Sequence, residues 1–294
     1  MSVHDDLGIR MKTFYEKIPQ TKLMRRTPVA IRLDGKAFHS FTKGFQKPFD
    51  EVLIKSMQET MKYLCENIQG CVFAYTQSDE ITLILVDYKN LNSSAWFDYE
   101  VQKICSISAS MATMAFNRAF AKNVEAENYI FTDEWLDDES FNPNYKNKEL
   151  ESLWLVHKKA VDKGAMFDAR CFNIPKEEVT NLIYWRQLDA SRNSIQMMGQ
   201  ANFSHKELQN KSCNDIQDML MTQKGINWND LLTHLKRGSC CVKMYQLDEG
   251  SFQSHAEDKL MEHGRTYWTV DTQIPVFKGE GREYIDRLVF VGEE

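Results

Sequence analysis

The sequence lacks any apolar run long enough to cross a membrane, and its opening stretch, MSVHDDLGIRMK, has no apolar segment of the signal-peptide kind. Both absences point away from membrane insertion and export and toward a cytoplasmic protein. There is no CxxC pair, no HxH or HExxH, and no cysteine at metal-ligand spacing from a histidine, which excludes the familiar zinc motifs. The seven cysteines (Cys65, Cys71, Cys105, Cys171, Cys213, Cys240 and Cys241) are odd in number and mostly sit in apolar stretches such as YLCENI. They read as reduced, buried thiols rather than a disulfide framework. Repeats and low-complexity segments are also missing. So is an excess of positive charge: the net charge of −6 argues against a general nucleic-acid binder. That charge is uneven, however. Arg10 to Lys62 is rich in Lys and Arg, whereas Glu125 to Glu139 (EAENYIFTDEWLDDE) is acidic without a single base, so an acidic insert masks a basic face. With 294 residues, 43% apolar and 27% charged, the chain holds one large domain or two modest ones with a sizeable core.

TPVAIRLDG reads as a strand closed by glycine. Residues Asp50 to Asn67 place Val52, Leu53, Met57, Met61 and Leu64 at helical spacing, with Asp50 at the capping position. CVFAYTQ and ITLILVD are strands flanking the turn Ser78-Asp79-Glu80. Tyr99 to Ala121 is a helix of small residues, and AMFDARCFNIP a fourth strand. The order β-α-β-β-α-β is that of the ferredoxin-like split sheet, an α+β class. In that topology strands one and three are antiparallel neighbours, which brings Asp34 beside Asp79 and Glu80. Beyond it come helices over Glu177–Phe203, Asn214–Gln223 and Trp228–Leu235, then closing strands SCCVKMYQL and RTYWTVDTQIPVF. The expected layout is a palm-like catalytic region over 1–175 and a mainly helical extension over 176–294, the two forming separate domains or one compact unit.

Asp34, at a strand end in RLDGKAFHSF, is a hard oxygen ligand suited to Mg²⁺, and Gly35 allows close backbone approach. Taken alone, Asp-Gly is an ordinary turn, and Ser78-Asp79-Glu80 an ordinary polar hairpin tip. The predicted convergence of Asp34 and Asp79 makes them suited to a metal pair clamping a phosphoryl displacement. Spacing alone leaves that reading and the hairpin reading near balance.

RLDGKAFHSF, KPFD, YTQSDE, FDARCFNIP and WRQLDASRNS follow in order the pattern of the tRNA(His) guanylyltransferase superfamily, over about Thr27 to Asn193 and more loosely to RGSCCVK. The resemblance implies a sheet similar to polymerase palms and addition of nucleotides in the 3′-to-5′ direction onto the 5′ end of tRNA. It implies two Mg²⁺ ions held by Asp34, the Gly35 carbonyl and Asp79, with Asp34, Asp79 and Glu80 as the catalytic acids. It further implies ATP and GTP as substrates, held by Asp34, Gly35, Lys36, Ala37, Phe38, His39, Lys47, Ser78 and Asp79. His39 reads equally as a backbone-bonded turn residue. Arg186, Arg192 and Asn193 are the candidate tRNA contacts, against the plainer reading of helix charges as a solvated face. The family also implies a homotetramer.

One departure is informative. Members dedicated to tRNA(His) carry HINNLYN after the WRQ-x-D segment, where this chain has Ser191-Arg192-Asn193-Ser194-Ile195-Gln196-Met197. The chain therefore resembles the guanylyltransferase-like branch, which implies template-directed repair of truncated tRNA 5′ ends. The rivals are dedicated guanosine addition to tRNA(His), another palm enzyme such as a nucleotide cyclase, and a non-catalytic tRNA-binding protein.

Overall fold

A computed structural model describes residues 5–133, 143–247, 252–253 and 264–292. In chain order the main elements are β1 (Val29–Gly35), α1 (Glu51–Asn67), β2 (Cys71–Gln77), β3 (Glu80–Leu85), α2 (Val101–Asp133), α3 (Pro143–Lys163), β4 (Phe167–Asn173), α4 (Lys176–Asn202), α5 (Cys213–Lys224), β5 (Ser239–Leu247), β6 (Phe252–Gln253), β7 (Gly264–Asp271) and α6 (Glu283–Val289). The class is α+β. One antiparallel sheet runs β4-β1-β3-β2-β5-β6, with β7 also on β5.

Helices cover both faces of the sheet, so its central strands are apolar on both alternations rather than on one. Val29, Ala30, Ile31 and Leu33 of β1 are all fully buried. Ile31, Leu33, Ile81 and Leu83 pack against Met57 and Met61 of α1 and Phe116 and Phe120 of α2. On the opposite face Ala30, Phe73, Tyr75 and Ile84 meet Val179 and Ile183 of α4 and Ile285 of α6. A third cluster, with Ile195, Met198, Phe203, Ile216 and Leu220, joins the far end of α4 to α5.

α1 matches its sequence pattern. The Asp50 carboxylate accepts from the Leu53 amide at 2.9 Å, satisfying one of the open N–H groups of the first turn. Val52, Met57, Met61 and Leu64 form its buried stripe. α2 outruns its expected end at Ala121, because the Glu125–Asp133 portion of the acidic stretch continues the helix. The rest of that stretch, 134–139, lies outside the described residues. α3 and α6 were not anticipated. α3 is strongly charged along its length and contributes only scattered apolar contacts, with Trp154, Val156, Ala160 and Val161 touching the first core.

The sheet does not break between residues 175 and 176. β5 pairs with β2 through Ala74↔Cys241, Tyr75↔Cys240 and Thr76↔Ser239, and β7 pairs with β5 over eight registered positions from Cys240↔Asp271 to Leu247↔Gly264. Gly238 turns the chain into β5 at φ +80°, where a Cβ would stand 2.4 Å from the Thr76 carbonyl oxygen, so only glycine allows this approach. The strand expected over 265–277 ends at Asp271. Pro275 cannot donate to a ladder, and the segment instead drops Ile274 and Phe277 into the second core. Gln187 of α4 secures it, donating to the Pro275 carbonyl at 2.8 Å and accepting from the Phe277 amide at 3.0 Å. In place of one helix over Trp228–Leu235 there is a single turn, Trp228–Asp230, and a short helix, Thr233–Arg237. Among the described residues no helix is long and apolar enough to cross a membrane.

Candidate active site

The expected adjacency of the first and third strands is present. Asp34 stands opposite Glu80 of β3 on one side and Asp168 of β4 on the other, and Glu80 in turn faces Gln77. Directly opposed residues of antiparallel strands share a face, so Asp168, Asp34, Glu80 and Gln77 form one row across four strands. The next row inward on that face is Arg170, Arg32, Thr82 and Tyr75. A row of acids thus lies against a row containing two arginines, on the side of the sheet covered by α4.

Glu80 is fully engaged. It accepts from Arg32 Nη2 at 2.8 Å, from Arg186 Nη2 at 2.5 Å and from Gln77 Nε2 at 3.3 Å. Arg186 reaches Asp189 as well, at 2.8 Å. Asp34, by contrast, has no hydrogen bond or ion pair to its carboxylate among the described residues. Partial burial pushes its carboxyl above the ordinary range, and the charges of Glu80 and Asp168 add to this. Asp79 is raised too, chiefly by burial. The Ser78 hydroxyl, donating to it at 3.0 Å, opposes the shift, and the Asp34 and Glu80 charges reinforce it. Arg32 and Arg170 oppose the shift of Asp34 from a distance, but the direct arginine pairs go to Glu80, Asp168 and Asp189, leaving Asp34 and Asp79 as two hard-oxygen donors outside those pairs.

Gly35 is fixed between these carboxylates. Its amide donates to the Asp79 carbonyl at 3.2 Å, and the Lys36 amide donates to the Met166 carbonyl at 2.8 Å. The Phe38 ring covers Gly35 so closely that a Cβ there would lie 2.1 Å from it. Phe38 is itself held in an aromatic cluster, 5.1 Å from Phe41, 5.6 Å from Phe116 and 5.2 Å from Phe167 between ring centroids. Ala37 takes a left-handed conformation (φ 53°) that turns the chain into the short helix Phe38–Phe41.

A cleft of about 360 Å³ opens against Asp79 and is lined by Phe38, His39, Lys47, Asp50, Ser78 and Met197, among others. It gathers His39, Lys47, Ser78 and Asp79 from three separate segments. A smaller adjoining cavity shares Asp50, Ser78 and Met197 and adds Asn193 and His234. Met197 stands where HINNLYN has its last Asn, and Asn193 is the position of that motif the chain retains, so the altered stretch walls the cleft at Met197 and the adjoining cavity at both residues. Lys36 and Ala37 are exposed on the approach.

Two of the expected assignments change in character. Arg186, a candidate RNA contact, is only 5% exposed and is paired with Glu80 and Asp189, which leaves no charge for a phosphate. Arg192 is exposed and pairs with Asp189. Some features were missed from sequence. Asp50, beyond capping α1, accepts from the Gln46 amide at 3.0 Å and contacts His157 Nε2 at 2.8 Å, both side chains being buried. This one aspartate ties the Lys47 loop to α1 and α3. Nothing in the sequence marked His157, whereas Arg32 was legible: two residues before Asp34 in a strand, it shares its face. Among the described residues no group of three or more His, Cys, Asp or Glu side chains is placed to hold a metal.

Comparison with known proteins fits this geometry. The sequence profile of the tRNA(His) guanylyltransferase family matches residues 9–175, more than half of the chain. The chain is 26% identical over 229 residues to the tRNA(His) guanylyltransferase of Saccharomyces cerevisiae, covering 73% of this chain and 82% of that protein. A bacterial tRNA(His) guanylyltransferase-like protein solved in complex with ATP superposes with a TM-score of 0.73 at 38% identity, covering 97% of this chain and all of the other. A structure of a bacterial protein of the same description in complex with GTP gives a TM-score of 0.71 at 34% identity, covering 98% and 100%. A carboxylate pair at the edge of such a sheet, a family profile spanning it and two full-length structural matches lead to one conclusion: the chain belongs to the tRNA(His) guanylyltransferase family and is a nucleotidyltransferase.

Proposed function

We propose that this protein adds nucleotides in the 3′-to-5′ direction to the 5′ end of tRNA, under direction of the opposite strand, and so repairs truncated 5′ ends. The observation that carries the reading is the meeting of Asp34 and Asp79, neither in a direct ion pair among the described residues, with a cleft bearing Lys47, Ser78 and His39. Family membership and the ATP- and GTP-bound structural relatives support a nucleoside triphosphate as the occupant. The replacement of HINNLYN by Ser191–Met197 along the cleft wall favours repair over dedicated guanosine addition.

The site fits Mg²⁺. Asp34, the Gly35 carbonyl and Asp79 would hold the ions, which supply charge neutralisation and activation of phosphoryl oxygens. Lys47 brings a compact positive charge to the triphosphate, and the Ser78 hydroxyl a further hydrogen bond. Asp50 and His157 hold the Lys47 loop in place. Arg32 and Arg186 fix Glu80 so that its charge is spent inside the protein, which makes Glu80 a positioning group for the Asp34–Asp79 edge. A 5′-monophosphorylated RNA first attacks ATP, releasing pyrophosphate and leaving an adenylylated end. The 3′-hydroxyl of the incoming nucleotide then attacks that 5′ phosphorus, and AMP departs. A 5′-triphosphate end skips the first step and releases pyrophosphate in the second. Holding the reacting oxygen and phosphorus in line is the main contribution of the residues named.

Within this reading residues 1–175 carry the palm-like catalytic region and residues 176–294 a helical extension whose closing strands complete the same sheet, the two forming one compact unit, with the assembly a homotetramer and the compartment the cytoplasm. The test is incubation with a tRNA lacking its first nucleotide, with each of the four triphosphates offered separately and the template base varied. Incorporation following the template is the expected result. Incorporation of guanosine alone, whatever the template, would show the dedicated activity instead, and cyclic nucleotide formed without RNA would show a cyclase.

A further inference from the structure

One aromatic side chain near the carboxylate row has no part in the scheme above. Trp185 on α4 is 52% exposed, although two guanidinium groups brace its ring. The guanidinium carbon of Arg186 lies 4.5 Å from the ring centroid and that of Arg32 lies 5.6 Å from it. Both arginines are pinned by Glu80, at 2.5 and 2.8 Å, and Arg32 stands two residues from Asp34 on the same face of the sheet. A braced, half-exposed indole therefore stands beside the carboxylate row. Leu188, one turn further along α4, widens this apolar surface and is 51% exposed.

The ring lies away from the triphosphate cleft, whose lining residues do not include it. On α4 the cleft is met by Met197, and the adjoining cavity by Asn193 as well. At 1.5 Å per residue Asn193 is about 12 Å further along the helix than Trp185. Two substrates must reach Asp34 and Asp79. The cleft takes one, and the exposed β4 edge at Asp168 and Arg170, where the face emerges from under α4, is the approach for the other. An aromatic platform backed by guanidinium suits a nucleobase, and such stacking is indifferent to base identity because every base presents a π-face. An enzyme whose RNA terminus changes with each added nucleotide needs that indifference.

We propose that Trp185 is the stacking platform for the 5′-terminal base of the RNA being extended, a positioning residue for the acceptor phosphate; this rests on the function proposed above. The test uses Trp185→Phe and Trp185→Leu in the full-length protein, with an acceptor-stem RNA carrying 2-aminopurine as its 5′-terminal nucleotide. Wild type and Trp185→Phe should quench the probe on binding, and Trp185→Leu should not. Loss of one stacked base corresponds to about a 5- to 150-fold effect. Trp185→Leu should therefore raise the KM for RNA at least fivefold, with the KM for the nucleotide within twofold of wild type and Trp185→Phe close to wild type. Unchanged quenching and RNA KM in Trp185→Leu would overturn the proposal. So would equal impairment of Trp185→Phe and Trp185→Leu, which would mark a purely structural indole. A change in assembly size without a change in RNA affinity would assign the ring to a contact between copies and would also overturn it. If wild type quenches the probe yet extends no RNA, the functional reading fails while the stacking assignment stands. If it neither binds nor extends RNA, both fall.

Discussion

Replacing Arg186 by methionine separates an internal structural charge from an RNA contact. Its guanidinium joins Glu80 at 2.5 Å and Asp189 at 2.8 Å, with side-chain exposures of 6%, 14% and 16% for the three residues. Removing it leaves Glu80 with Arg32 and Gln77, and Asp189 with the exposed Arg192 and with Asn193. Breaking a buried ion pair from one side costs about 3–5 kcal/mol, because the remaining charge stays desolvated. The equivalent change at Arg192, whose side chain is 61% exposed, should cost about 0–1 kcal/mol. At roughly 2 °C per kcal/mol for a chain of this size, Arg186→Met should lower Tm by about 6–10 °C. Arg192→Met should leave it nearly unchanged. Thermal unfolding measures the first effect, and RNA affinity across a salt series measures the alternative. A side chain that contacts a phosphate contributes about one unit to the slope of log affinity against log salt. Arg186→Met should retain the wild-type slope at a temperature where it remains folded. A near-native Tm combined with a shallower slope would refute the structural assignment and return Arg186 to the RNA interface.

Asp79→Asn should reduce nucleotide addition by at least about a hundredfold, the usual scale for losing a fixed charge that stabilises a phosphoryl transfer. It should also raise the Tm of the metal-free protein at pH 8. The folded-state carboxyl is shifted above the unfolded value of about 3.9, so ionisation opposes folding at high pH, and the penalty fades as pH falls through the folded-state pKa. Scanning calorimetry in chelator at pH 8 and pH 4 reads this directly, and a drop in Tm at pH 8 would contradict it. Gly35→Ala places a methyl group 2.1 Å from the Phe38 ring, which is locked among three other phenylalanines and cannot withdraw. Overpacking of this kind costs about 1–3 kcal/mol. Denaturant titration should show that loss together with activity reduced beyond what instability explains, since the Asp34–Asp79 edge must shift; a variant of wild-type stability and activity would mean the contact relaxes freely.

Legibility in the sequence followed the physical strength of each signal. α1 was readable because its buried stripe and its Asp50 cap agree. The convergence of Asp34 and Glu80 was readable because strand alternation and chain order leave few ways to pair the strands. α3 was opaque: its charged residues outnumber its core contacts, and tertiary packing on α2 supplies the order that its pattern lacks. The segment after Asp271 read as strand by composition, and Pro275 together with the paired hydrogen bonds of Gln187 diverts it into the core. At the site, Lys47, His39 and Ser78 were found through motif resemblance. The joining of the Lys47 loop to α3 through Asp50 and His157 depends on a contact between residues 107 positions apart, which no local pattern encodes. Arg186 looked like a helix-surface charge because helix periodicity alone does not disclose that Glu80 lies beneath it.

The registry of β5 on β2 bears on the order in which the chain can be completed during synthesis. β2 is buried from Val72 to Gln77 on both of its faces, and its outer backbone edge is satisfied by Ser239, Cys240 and Cys241, which emerge from the ribosome more than 160 residues later. Until then that edge stands open, a flat apolar strand with unpaired amides and carbonyls of the kind that templates aggregation. Asp34 and Glu80 can be brought together earlier, since the pairing of β1, β3 and β4 uses no strand from the last third of the chain. A nascent molecule therefore passes through a stage at which the carboxylate-bearing strands can pair while the outer edge of β2 is uncovered, and β5 ends that exposure.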